Sequence, residues 1–274
     1  MMSTEPYVPE LGIEYPSNPD GRMVEVKVIR DVQIDENYQF MDKSLKFRFM
    51  RALTYLGIFT IVFFMSPARF GLRVEGRGVL RKHRKLLKDG AMTISNHMHR
   101  WDFLFVLQAL RHRMMYFPVK NEHLSGPDGS RIRFAGGIPV PSEISVIRHF
   151  YKAFDEIRAK KKWIHAFPES TRFDYFQPIR PFKKGVFTMV QRYDVPVLPM
   201  AFSYGRPPLT PANLLRSLSG KQKLPAITLR IGEPILLDKS LPRKEAVQKL
   251  RKDCHEAVVR LAGIRDNPYP AEGD

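Results

Sequence analysis

The chain has 274 residues, with 45 Lys and Arg against 28 Asp and Glu, a formal charge of +17. A content of 43% hydrophobic and 11% aromatic residues excludes a mostly disordered protein, and a single Cys excludes an internal disulfide framework or a thiolate metal cluster. So basic a chain is expected to meet something anionic: nucleic acid, anionic lipid or a phosphorylated substrate.

The charge is unevenly spread. Residues 1–42 carry nine acids and three bases and read as an acidic N-terminal extension. Pro6, Pro9, Pro16 and Pro19 make its first half extended. There is no apolar stretch of the secretory-signal kind. Val24, Val26 and Val28 alternate with Glu25 and Lys27, the period of a short strand. The segment reads either as a flap on the basic body or as a solvated tail, the tail being the simpler expectation.

Residues 43–70 form the next unit. Lys43, Lys46, Arg48 and Arg51 precede about 17 uncharged residues, Ala52 to Ala68, which as a helix reach roughly 26 Å, short of a hydrocarbon core of about 30 Å. Pro67 is expected to end the helix. Arg51 and Arg69 flank it, so the positive-inside rule gives no orientation. A spanning helix, a helix lying in the membrane interface and a buried core helix all fit this composition. Arg69, Arg73, Arg77, Arg81, Lys82, Arg84, Lys85 and Lys88 follow within twenty residues. A basic run beside an apolar helix suits an anionic membrane face, which favours the interfacial, monotopic anchor. The run adjoins an uncharged apolar stretch rather than an aromatic stacking platform, which argues against nucleic acid as partner.

From residue 71 onward short apolar runs alternate with amphipathic ones. Strands are predicted at 72–75, 91–95, 114–119, 137–140, 163–167, 196–203 and 226–231. Helices are predicted at 78–88, 102–111, 144–160, 183–192, 210–218 and 241–262. The alternation predicts an α/β fold, a largely parallel or mixed sheet flanked by helices and preceded by the apolar anchoring helix. Cys254 shares a helix face with Val247, Leu250, Val258 and Leu261 and reads as a core residue.

Candidate chemistry gathers just after the apolar strands. In AMTISNHMHRWDFLFVLQAL the strand ends at Ser95, His97 follows, and Asp102 opens a helix. Such a turn can bring imidazole and carboxylate together, Asp102 fixing the tautomer and leaving His97 as general base. The plainer reading makes Asp102 a helix N-terminal acid and His97 a surface histidine. FPESTRF at 167–173 again follows a strand and sets Glu169 and Arg172 at a turn suited to an anion. PVKNEHL at 118–124 places Lys120 and Glu122 after another strand, and GGIPVP at 136–141 sets a glycine pair before a short apolar run. His97 and His99 with Asp102 or His165 show no strong metal-ligand spacing, so no metal is expected. His99, His112, His123, His149, His165 and His255 read as polar or packing histidines.

NHMHRWD, VKNEHL, GGIPVP, FPESTR and VPVLP, in this order after these elements, resemble the glycerolipid acyltransferases, with the closest likeness to the bacterial 1-acylglycerol-3-phosphate acyltransferases. The resemblance covers about residues 71–235 and implies an acyltransferase domain over 71–274. It implies His97 as catalytic base and Asp102 as its orienting carboxylate. Glu169, Ser170, Thr171 and Arg172 match the acceptor site, with Arg172 on the phosphate. Lys120 matches a second basic position, and Gly137, Ile138 and Pro139 match the motif lining the acceptor pocket. Two positions depart from the family pattern: Ser170 stands where a Gly follows the motif Glu, and Ser142 stands near the place of an acceptor-contacting Arg, for which Arg131, Arg133 or Arg148 are the candidate substitutes.

The resemblance implies direct acyl transfer with no cofactor: acyl-CoA or acyl carrier protein as donor, lysophosphatidic acid as acceptor, phosphatidic acid as product, on the cytoplasmic face of the cell membrane among anionic lipids. No Gly-x-Ser-x-Gly elbow is present, so no covalent acyl-enzyme is implied. Another lysolipid or glycerol 3-phosphate as acceptor, and a non-catalytic basic module binding membrane or nucleic acid, are the alternatives.

Overall fold

The structure, a computed structural model, describes residues 12–23, 25–110 and 113–271. Pro6, Pro9, Val24, Arg111 and His112 lie outside the described residues. Seven strands, β1 (Arg73–Glu75), β2 (Met92–Ile94), β3 (Met115–Lys120), β4 (Gly137–Val140), β5 (Trp163–Ala166), β6 (Val197–Gly205) and β7 (Ala226–Ile231), form one sheet in the order β1-β7-β6-β2-β5-β3-β4. Of the neighbouring strand pairs in this sheet, among the described residues, β6 with β7 is antiparallel and the others are parallel. This is the α/β architecture the alternation predicts. The strands at its centre are buried on both faces, as a sheet covered by helices requires.

The helices are α1 (Leu45–Gly57), α2 (Phe63–Phe70), α3 (Gly78–Lys82), α4 (Asp102–Ala109), α5 (Asn121–Ser125), α6 (Gly129–Ala135), α7 (Ile147–Ala159), α8 (Lys184–Tyr193), α9 (Pro211–Leu218) and α10 (Arg243–Ala262), with a π-helical stretch, Ile58–Val62, joining α1 to α2. Two apolar cores result. One packs Phe150, Phe154, Phe187, Val190, Leu250, Cys254 and Val258 from α7, α8 and α10. The other packs Tyr55, Ile58, Val62 and Phe70 against Phe105, Phe202 and Leu229. Cys254 is a core residue, and burial raises its thiol pKa.

Helix 45–70 docks along its length. Tyr55, Ile58, Val62, Ser66 and Phe70 recur every three or four residues and are buried. The Tyr55 hydroxyl donates to the carbonyl of Ala135 at 2.7 Å and accepts from the amide of Met115 at 3.1 Å. Gln108 donates to the Ser66 hydroxyl at 3.0 Å. On the other side Leu45, Phe49, Leu53, Leu56, Ile61 and Phe64 are exposed. Contrary to the sequence expectation, Pro67 does not end the helix. Gly71 does, in the left-handed region at φ 56°, with its amide on the Pro67 carbonyl and that of Leu72 on Ser66.

Three further expectations are corrected. α3 stops at Lys82 instead of running to 88, where Arg81, Arg84, Lys85 and Lys88 would stack like charges on one helical face. α5 and α6 were not predicted. Glu25–Val28 form no strand, and the described part of the extension is not a solvated tail. Its residues cross the body: the Tyr15 ring packs on Phe173 and Phe176, Asp20 pairs with Lys183 at 2.5 Å and Arg22 with Glu122 at 2.9 Å. Arg30 bonds the Leu124 carbonyl at 2.9 Å, and Phe40 is buried against Phe150. Phe40→Ala is therefore expected to cost about 3–5 kcal/mol in urea unfolding, where an undocked tail would leave stability unchanged.

Candidate active site

Parallel pairing of β2 with β5 sets Ile94 beside Ala166, and the pairing continues as the Ser95 amide reaches the Ala166 carbonyl. Three residues past each strand stand His97 and Glu169. β3 flanks β5 on its other side and ends at Lys120. The C-terminal edge of three adjacent parallel strands thus delivers His97, Glu169 and Lys120, the edge where α/β sheets bind ligands.

His97 Nδ1 lies 2.9 Å from Asp102 Oδ2. The same oxygen accepts the amides of Met98 at 2.8 Å and His99 at 2.9 Å. The Asp102 side chain is 0% exposed and that of His97 21%. Burial pushes the Asp102 carboxyl up, to about 7, against the pull of His99 and the two amides. Burial, then the charges of Arg172 and Arg180, holds His97 well below the usual imidazole value. Because amides can only donate, Oδ2 acts as acceptor and the proton sits on Nδ1, which leaves Nε2 as the ring's basic nitrogen. The ring stacks on Phe167 with centroids 3.9 Å apart, which fixes its plane.

Glu169 is a buried joint. Its Oε2 accepts the amide of His97 at 3.1 Å and Arg180 Nη2 at 2.9 Å; its Oε1 accepts the amide of Arg180 at 3.0 Å. Burial raises its pKa and the Arg180 charge lowers it. The Arg180 side chain, 1% exposed, also bonds Thr171 Oγ1 at 2.7 Å, the Thr171 carbonyl, and the Pro19 carbonyl at 3.0 Å. It stacks on Phe173 at 3.9 Å. Arg180 was not singled out in the sequence, where it reads as one base among 45; only its place between two prolines sets it apart.

Arg172 is held by Asp174, Nε to Oδ1 at 2.6 Å, and its charge reaches His97, Asp102 and His123. Lys120 is held below the ordinary lysine value by burial, then by the charge of Arg22. Ser170 has φ 67°, a left-handed conformation natural to the glycine it replaces in the family pattern. Gly137, Ile138 and Pro139 are buried in β4 beside Phe117, Pro118 and Val119. A Cβ on Gly137 would come within 2.7 Å of Ile132. Of the candidate substitutes for the missing arginine, Arg131 pairs with Asp128, Arg133 bonds the carbonyls of Gln39, Phe40 and Gly137, and Arg148 is exposed on α7.

The neighbouring histidines are packed. His99 lies among Phe70, Phe105 and Tyr175, its pKa lowered to about 4 by burial. His165 contacts Thr93 Oγ1 at 2.9 Å and is lowered to about 3 by burial. Among the described residues no group of three or more His, Cys, Asp or Glu side chains is placed to hold a metal ion.

A family model described as Acyltransferase matches residues 71–203, the stretch that builds the sheet edge and both sides of the dyad. The matched stretch holds most of the motifs by which the sequence resembles the glycerolipid acyltransferases. The fold of the chain is also that of a solved structure, the 1-acyl-sn-glycerophosphate (LPA) acyltransferase PlsC from Thermotoga maritima. The two chains are 16% identical and superpose with a TM-score of 0.50 over 81% of this chain and 85% of that one.

The Glu169–Arg180 pair makes a specific demand. Arg180→Met leaves a buried carboxylate without its cation and is expected to cost about 3–5 kcal/mol of stability, read by denaturant titration. A loss under 1 kcal/mol would show the pair to be dispensable.

Proposed function

We propose that this acyltransferase moves a fatty acyl group from a thioester, acyl-CoA or acyl carrier protein, to the free hydroxyl of 1-acylglycerol 3-phosphate, giving phosphatidic acid. The observation that carries the reading is the 2.9 Å contact of His97 Nδ1 with an Asp102 oxygen already taken by two amides. His97 Nε2 removes the proton of the acceptor hydroxyl as its oxygen attacks the thioester carbonyl. Asp102 stabilises the imidazolium, which returns the proton to the departing thiolate as the tetrahedral intermediate collapses. Glu169 acts as a positioning residue through the His97 amide. Lys120 and Arg172 hold the acceptor phosphate. Arg22, whose charge reaches both Lys120 and His123, adds a third cation from the N-terminal segment.

The protein works on the membrane surface that holds its lipid. Helix 45–70 is long and apolar enough to cross a membrane, but its inner face is bonded to the body through Tyr55 and Ser66. That favours a helix lying in the plane of the interface, on the cytoplasmic face where the thioester donors are made, with the basic run 69–88 toward anionic lipid.

His97→Ala is expected to lower kcat by about 10²–10⁴ or more in mixed micelles of lysophosphatidic acid with either donor. Asp102→Asn, which removes the negative charge that stabilises the imidazolium, falls in the same range. Transfer indifferent to His97 would defeat the reading, and activity confined to another lysolipid in a parallel panel would move the acceptor and keep the base. The base must be unprotonated, so kcat/KM falls on acidification. Because burial, Arg172 and Arg180 lower the His97 pKa, that fall is expected below about pH 6.5, the ordinary imidazole value.

A further inference from the structure

The connection from β6 to β7 carries a surface that the catalytic site does not use. Leu209, Leu214, Leu215 and Leu218 lie on or beside α9, and Leu209 is 97% and Leu218 78% exposed. Leu214, Leu215 and Leu218 share one face of the helix by spacing. Four exposed leucines in ten residues are costly in water, at about 25 cal/mol per Å² of apolar surface.

The connection is built to hold them there. Thr210 caps α9, its hydroxyl accepting the Asn213 amide at 3.2 Å. Asn213, 2% exposed, ties both ends together: Nδ2 donates to the carbonyls of Pro208 and Leu224, each at 2.9 Å, and Oδ1 accepts the Leu224 amide at 2.7 Å. Arg216 Nε closes the far side on the Gln222 carbonyl at 2.5 Å.

Two observations select the occupant. The first is continuity: α9 packs against α2, and Pro208 lies against Gly71 so closely that a Cβ there would come within 2.5 Å. α9 therefore adjoins α2, the part of helix 45–70 on which Phe64 is exposed. The second is charge. Arg206, Arg216, Lys221 and Lys223 flank the leucines, and no acid occurs between Asp194 and Glu233. Apolar side chains rimmed only by bases suit the interface of an anionic bilayer. The surface also borders the site: the charges of Arg216 and Arg69 both reach Tyr175, whose amide bonds the Met98 carbonyl at 2.9 Å, one residue from His97.

We propose that α9 and its flanking residues, 206–223, are a second membrane-inserting element. With helix 45–70 it forms a two-point platform that seats the His97 site against anionic lipid. This rests on the membrane-surface reading above, and it adds a contact distant in sequence from the anchoring helix.

The test uses the full chain and vesicles of phosphatidylcholine with and without phosphatidylglycerol. Leu214→Glu combined with Leu218→Glu is expected to weaken flotation with anionic vesicles about tenfold or more, while thermal stability and acyl transfer in detergent micelles stay at the wild-type level. A second variant reports insertion directly. Leu215→Cys takes an environment-sensitive fluorophore, since Cys254 is fully buried. Its emission is expected to shift to the blue with anionic vesicles and to be quenched by nitroxide-labelled lipid. Unchanged flotation, or a label that stays in water, overturns the proposal. So does a dimer in solution that the glutamates dissociate, which would make a second copy of the chain the occupant. Flotation does not depend on turnover, so failure of the acyltransfer reading appears separately, as wild-type protein inactive in micelles.

Discussion

A carboxylate shut away from water must fill its lone pairs from the protein, and Glu169 does so with groups from two segments far apart in sequence. One oxygen takes the His97 amide and the Arg180 guanidinium, and the other takes the Arg180 amide. The loop after β2 and the loop after β5 are thereby fixed to each other. The position of the His97 backbone is set from below by the β2–β5 register and from the side by this pair. The imidazole is then placed by Asp102 and the Phe167 face. The dyad's geometry thus follows from an ion pair that is itself out of reach of solvent, one whose loss leaves an uncompensated charge rather than a missing contact.

The same arrangement recruits the N-terminal segment. Arg180 reaches the Pro19 carbonyl, Lys183 reaches Asp20, and the Asp174 carbonyl accepts the Tyr15 hydroxyl at 2.9 Å. Asp20 pairs with Lys183 beside the site, while Arg22 adds a cation whose charge reaches Lys120. Residues 12–42 are therefore part of the electrostatics of the site as well as of its outer wall.

The sheet was largely legible in the sequence. Its strands are apolar runs bounded by glycine, proline or charge, and burial on both faces leaves that signature plain. The His97–Asp102 juxtaposition was legible because both residues belong to one strand–turn–helix unit. Contacts between segments far apart in sequence were hidden. Arg180 lies eleven residues from Glu169 with no periodicity linking them, and Phe40 lies in a stretch with no helical or strand period to mark it as core. α5 and α6 have five and seven residues, too few turns for an amphipathic period to emerge. Pro67 misled because the helix has only one turn left beyond it, and the stop comes from the left-handed Gly71.

The docking of helix 45–70 has a consequence in time. Its buried face is completed by groups far downstream: Tyr55 needs Met115 and Ala135, and Ser66 needs Gln108. On a ribosome that face stays uncovered until at least residue 135 has emerged, and residues 12–42 wait longer for Phe173 and Arg180. Over that interval the uncharged stretch 52–68 has both its inner and its outer apolar side chains uncovered.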